Sequence, residues 1–164
     1  MINDSLLKQI QEYIDNNIED LEICSFSLNK AYIESICDKC NIEPDFIPEP
    51  EASFSETLLK LIDDRKLTDS DVYNKANIDR RLFSKIRCEK DYKPSKQTVL
   101  AFCIALQLDI EDTEDLLERA GYALSYSDRA DLIVRFFIEE KDNYTIFDVD
   151  EALMSFNQKP ITKY

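Results

Sequence analysis

From residue 55 onward, apolar side chains recur every three to four positions in short runs. A residue suited to cap a helix opens most of these runs. This rhythm commits the chain to packed helices, because a 3.6-residue period buries one face of a helix and cannot serve a strand. A first helix is predicted over 55–65, with Ser55 as cap and Leu58, Leu59 and Ile62 on one face. A short second helix over 69–75 follows Thr68, and a third over 79–87 starts at Asp79, with Leu82, Phe83 and Ile86 as its apolar positions. After the polar loop CEKDYKPS, Ser95 caps a fourth helix. Its Val99, Leu100, Phe102, Cys103 and Leu106 make it the segment expected to be most buried. A fifth spans 111–120 and ends at Gly121, and two more are predicted at 127–140 and 146–156. No internal repeat is visible. The expected fold class is mainly α: a five-helix bundle with extra C-terminal helices and a small N-terminal segment.

The N-terminal third is less regular. Residues 4–17 read as an amphipathic helix with Leu6, Ile10, Tyr13 and Ile14 on one face. Over 21–41 the pattern stays open, since LEICSFSL alternates like a short strand and AYIESICDKC fits a helix. Three prolines in seven residues within EPDFIPEPEA then mark a linker. The chain accordingly divides into an acidic N-terminal segment (1–42), a Pro-rich linker (43–53) and the helical body (54–161).

Composition narrows the chemistry. An apolar fraction of 44% in 164 residues supports a real core. No run of about 18 apolar residues is present, and MINDSLLKQI lacks the basic and apolar regions of a secretory signal. Five cysteines, an odd number, are expected as reduced thiols in a cytoplasmic protein. The absence of histidine removes the usual imidazole base and metal ligand. A single glycine leaves no phosphate-cradling loop or dinucleotide fingerprint. A non-enzymatic chain with no cofactor and no metal is therefore expected.

Net charge is −14, which alone would repel a polyanion. The distribution says otherwise. Residues 1–54 carry 3 basic and 12 acidic side chains, whereas the window 75–96 carries 8 basic and 3 acidic ones. One short basic segment sits in an acidic chain, and its local field governs contact within a Debye length of about 8 Å.

That window overlaps LTDSDVYNKANIDRRLFSKI, two short predicted helices joined through Ala76, Asn77 and Ile78. The joint needs a residue at positive φ, for which asparagine is the usual substitute for glycine, and Asn77 stands there. Ile78 then plugs the angle between walls supplied by Val72, Phe83 and Ile86. With ETLLKLIDDRKLT before it and KPSKQTVLAFCIALQLDIEDTEDLL after it, the stretch from about 54 to 118 resembles the lambda-repressor/Cro-like (XRE) helix-turn-helix family. More loosely, 54–161, with KANIDRRLFSKI, DYKPSKQT and RAGYALSYSD, is similar to a bacterial domain found C-terminal to macrodomains.

The repressor resemblance implies a second helix lying in the major groove. By position, Arg80, Arg81, Ser84 and Lys85 would face bases or phosphates, and Lys90, Lys93 and Lys96 would flank them along the backbone. Three departures open another reading. Tyr73 replaces the family's small residue at the helix crossing. Asp69, Ser70 and Asp71 stand where donors to phosphate are usual, and Leu82 replaces a polar groove-facing residue. Leu82 and Tyr73 are the contacts expected if the partner is a protein. The alternatives to a nucleic-acid-contacting regulator are thus a protein–protein adaptor, with an acidic partner for the basic window, and an acidic inhibitor that mimics nucleic acid. A homodimer is compatible with the first two.

Other motifs carry less. Cys37 and Cys40 form one CxxC, which without histidine or Cys24 and Cys88 beside it cannot complete a four-ligand zinc site. Cys103 is expected in the core. The clusters Glu111-Asp112, Glu114-Asp115 and Asp148, Asp150, Glu151 lack the spacing of a calcium loop and suit helix starts. Phe136, Phe137, Tyr144, Phe147 and Phe156 are expected to pack on the bundle or to form a partner surface.

Overall fold

A computed structural model describes residues 4–27, 52–89 and 92–162, and all regular elements among them are α-helices. They are α1 (Asp4–Ser27), α2 (Phe54–Asp64), α3 (Asp69–Lys75), α4 (Arg80–Cys88), α5 (Lys96–Leu106), α6 (Ile110–Arg119), α7 (Arg129–Glu140) and α8 (Ile146–Ser155).

Local chemistry fixes their ends. Thr68, Asp79 and Ser95 cap α3, α4 and α5, each side chain accepting from a backbone N–H in the first turn. The cap of α2 is Ser53 and not Ser55. Ser53 and Glu56 form a reciprocal capping box, which leaves Phe54 and Ser55 buried inside the helix. Asp109 caps α6 and Asp128 caps α7, so both begin one or two residues away from the sequence expectation. At the N-terminus the helix runs on to Ser27, well past 17, and LEICSFS is helical and not strand-like. A helix already nucleated upstream extends residue by residue at little cost. The remainder of the open stretch to 41, the linker 43–51 and the CxxC at Cys37 and Cys40 lie outside the described residues.

The helices share one core. α5 is buried all round from Val99 to Leu106, which makes it the central strut. α2 and α6 run antiparallel: Arg119 donates to the Ala52 carbonyl at 2.9 Å near one end, and Arg65 pairs with Asp112 at 3.3 Å near the other. α7 buries Leu132, Ile133, Val134, Phe136 and Phe137. α1 lies on α7, sending fully buried Ile10 and Ile14 into the same core and stacking Tyr13 edge-on against Phe136 at 5.4 Å. Among the aromatics, Phe136, Phe137 and Tyr144 are core while Phe147 is exposed.

Buried charges are satisfied. Arg135, 3% exposed, pairs with Glu114 on α6 and with Glu139 one turn on, and its guanidinium stacks on Tyr126 at 4.3 Å. Burial alone would lower its pKa, but the hydrogen bonds it donates to Glu114 and Glu139 outweigh that and raise it. Asp150, fully buried, accepts from the Ile161 N–H at 2.6 Å, the Thr162 N–H at 3.2 Å and the Thr162 hydroxyl. It thereby ties the segment after α8 back onto the bundle. No helix of the described residues is long and apolar enough to cross a membrane.

Candidate nucleic-acid interface

α3 ends in a C-terminal turn built around Asn77. The Ala76 N–H bonds to the Val72 carbonyl, the Asn77 N–H to Asn74, and the Ile78 N–H reaches back to Tyr73 at 2.9 Å. This six-to-one closure needs a left-handed residue, and Asn77 supplies it at φ 51°. The chain then turns directly into α4, where the Asp79 carboxylate accepts from the Arg81 N–H at 2.7 Å. Ile78 is half-buried against the core, beside fully buried Val72 and Ile86.

The inward face of α4 is fixed by Phe83 and Ile86. The Phe83 ring contacts Phe102 of α5 at 6.0 Å and Tyr73 of α3 at 5.9 Å. Tyr73 therefore fills the helix crossing as a half-buried core aromatic. Leu82, read from sequence as exposed, is half-buried; it packs against the core and walls a cleft of about 300 Å³ with Ala101 and Ile161. The outward face of α4 is left to Arg80, Arg81, Ser84, Lys85, Arg87 and Cys88, all exposed.

These cations differ in what they touch. Arg80, Arg81 and Lys85 make no ion pair with any described residue, and Lys93 on the following loop is exposed. Arg87 is paired to Asp69 at the start of α3. Lys96, expected to track a phosphate chain, turns toward α7 and pairs with Asp131 at 2.6 Å. Asp131 is 5% exposed, and a carboxylate so buried needs a cation. Lys90 lies outside the described residues. Sequence reasoning named neither Arg87 nor Asp131. Arg87 was visible, seven residues after Arg80 on the same helical face, but a pair 35 residues apart leaves no local trace. The carboxylates of α3 are likewise occupied: Asp69 by Arg87, and Asp71 by the Thr68 hydroxyl at 2.6 Å. No group of three potential ligands among the described residues is placed to hold a metal ion.

Two short helices, a left-handed turn, a buried inner face and a cationic outer face define a helix-turn-helix module. Residues 57–119, from within α2 through α6, match the family model described as Cro/C1-type HTH DNA-binding domain. Searches of curated proteins and of solved structures each returned no match.

Proposed function

We propose that the protein is a non-enzymatic regulator or targeting component that contacts duplex nucleic acid through the outer face of α4. One observation carries this reading. On a chain of net charge −14, Arg80, Arg81 and Lys85 stand together, exposed and without an ion-pair partner among the described residues. Such a cluster concentrates positive potential on one face and attracts an external polyanion. The arginine fork donates two parallel hydrogen bonds and suits a guanine edge, whereas lysine meets phosphate as a mobile point charge. Ser84 lies between them as a small donor. Lys93 extends the contact along the backbone, and the acidic remainder of the chain keeps other faces away from a polyanion. The cytoplasmic location expected from the sequence goes with this reading.

The test is an anisotropy titration of the full chain against random duplex and single-stranded DNA at two salt concentrations. With about four cations engaged, log K should fall against log salt with a slope of roughly −3 to −4. Joint Arg80→Ala and Arg81→Ala substitution should weaken duplex binding by about two orders of magnitude. Salt-insensitive binding, or none at low salt, would remove the reading and favour a protein partner.

A further inference from the structure

The connection between α4 and α5 is where the proposed interface leaves the second helix of the motif, and it is held from outside the matched domain. Tyr122, just past α6, donates its hydroxyl to the Pro94 carbonyl at 3.1 Å. Asp131, in the first turn of α7, accepts from Lys96 Nζ at 2.6 Å and from the Ser125 N–H at 2.8 Å. Both clamps come from residues beyond 119, where the family match stops.

They grip the two sides of one short stretch. Pro94 is buried and has no N–H to anchor itself, so its carbonyl is the handle available to the loop. Lys96 opens α5 two residues later. Lys93, exposed beside Pro94, follows wherever these two points are held. On the near side, the Tyr92 N–H bonds to the Glu89 carbonyl at 3.1 Å and completes the turn out of α4. Removing Lys96 would leave the buried Asp131 carboxylate without its cation, which makes the pair a stiff anchor.

We propose that Tyr122 and Asp131 are positioning residues for the phosphate-facing loop. The C-terminal extension thereby sets how Lys93 and the first turn of α5 meet a nucleic-acid backbone. This rests on the nucleic-acid reading of α4 given above.

The experiment uses the full chain with Tyr122→Phe, Asp131→Asn and, as control, Tyr126→Phe, which alters an exposed tyrosine on the same extension without touching the loop. Two quantities are read: native-state amide exchange at 92, 93 and 95–98, and affinity for a random-sequence duplex. Loss of one hydrogen bond should speed exchange at these amides about three- to tenfold in Tyr122→Phe and weaken duplex binding by a similar factor. The melting temperature should fall by no more than the few degrees that one lost hydrogen bond costs, and exchange in α2 and α3 should change less than at the loop. Tyr126→Phe should change neither quantity. Asp131→Asn should exceed Tyr122→Phe in both; if it fails to fold, Tyr122→Phe decides alone. Unchanged loop exchange in Tyr122→Phe overturns the proposal by itself, as does faster exchange with unaltered affinity. A wild-type chain that binds no duplex overturns the nucleic-acid reading and the positioning role with it, whatever the exchange shows.

Discussion

Asp69 opens α3, Arg87 lies in the last turn of α4, and their side chains meet in an ion pair that ties the two helices of the motif together. The pair is exposed on both sides, so its worth to stability is small, about 0–1 kcal/mol. Its electrostatic consequence is larger. Asp69 neutralises a cation that would otherwise join Arg80, Arg81 and Lys85, and it adds a carboxylate beside the surface a phosphate chain would approach.

Replacing Asp69 by Asn should therefore release Arg87 at little cost in stability. If α4 meets duplex DNA, affinity at low salt should rise about threefold to tenfold, and the salt slope should steepen by about one unit. Anisotropy titrations of wild type and variant at several salt concentrations read both. A slope that stays put would show that Arg87 points away from the phosphates.

Backbone conformation gives a second expectation. Lys66, Asn77, Gln107 and Asn157 all sit at φ between 51° and 56° just past helices, and each is followed by a six-to-one closure. Glycine performs this task only at Gly121. A side chain in the left-handed region costs about 1–2 kcal/mol, less for asparagine. Lys66 is exposed and has no other role in the turn, so Lys66→Gly should stabilise the protein by about 1 kcal/mol in urea unfolding. Asn77→Val should destabilise it by more than 1 kcal/mol, since a β-branched residue is worst suited to positive φ. Gln107 is a poorer test, because its amide also donates to the Ile104 and Tyr144 carbonyls.

These local signals explain what the sequence made legible. Thr68, Asp79, Ser95 and Asn77 act on backbone groups two to four residues away, so their roles can be read from the string itself. Ser53 and Ser55 are both able caps. What separates them is the burial of Phe54 and Ser55 against the rest of the bundle, a tertiary fact. The outward face of α4 was legible because 80, 81, 84 and 85 share a helical side. What each cation touches was not: Lys96 is claimed by Asp131 and Arg87 by Asp69, and neither pairing follows from spacing. Leu82 misled for the same reason, since the core it packs on and the cleft it shares with Ala101 and Ile161 are built by distant parts of the chain.

Asp150 shows the cost of such a long-range contact. It read as one acid among several near a helix start, yet it is fully buried and takes three hydrogen bonds from Ile161 and Thr162. Asp150→Ala would strand two buried N–H groups and a hydroxyl, and should cost about 3 kcal/mol. Because the loss is concentrated where 158–162 joins the bundle, limited proteolysis should cut there before the rest of the chain unfolds. Equal protection of that segment in variant and wild type would contradict the clamp.

Alkaline pH should weaken the fold through Cys103. Burial pushes this thiol from its ordinary 9.0 up to about 12, so the native state keeps it protonated where the unfolded chain ionises it. The contribution is present in full below about pH 9 and is lost as pH rises toward 12. Between pH 9 and 11 the loss should reach about 2 kcal/mol. Burial acts in the same direction on Tyr144, also raised to about 12, which adds to the decline at the upper end of this range. Cys103→Ala lowers stability at every pH by opening a cavity, but it should flatten the fall above pH 9, and that change of slope is the quantity to measure. A thiol reagent gives an independent check in a background where Cys24, Cys37 and Cys40 are serine. Cys88, exposed at the end of α4, should react at once, while Cys103 should react only at the rate of unfolding. Rapid modification of both thiols in the native protein would mean that α5 is less enclosed than its eight consecutive buried residues imply.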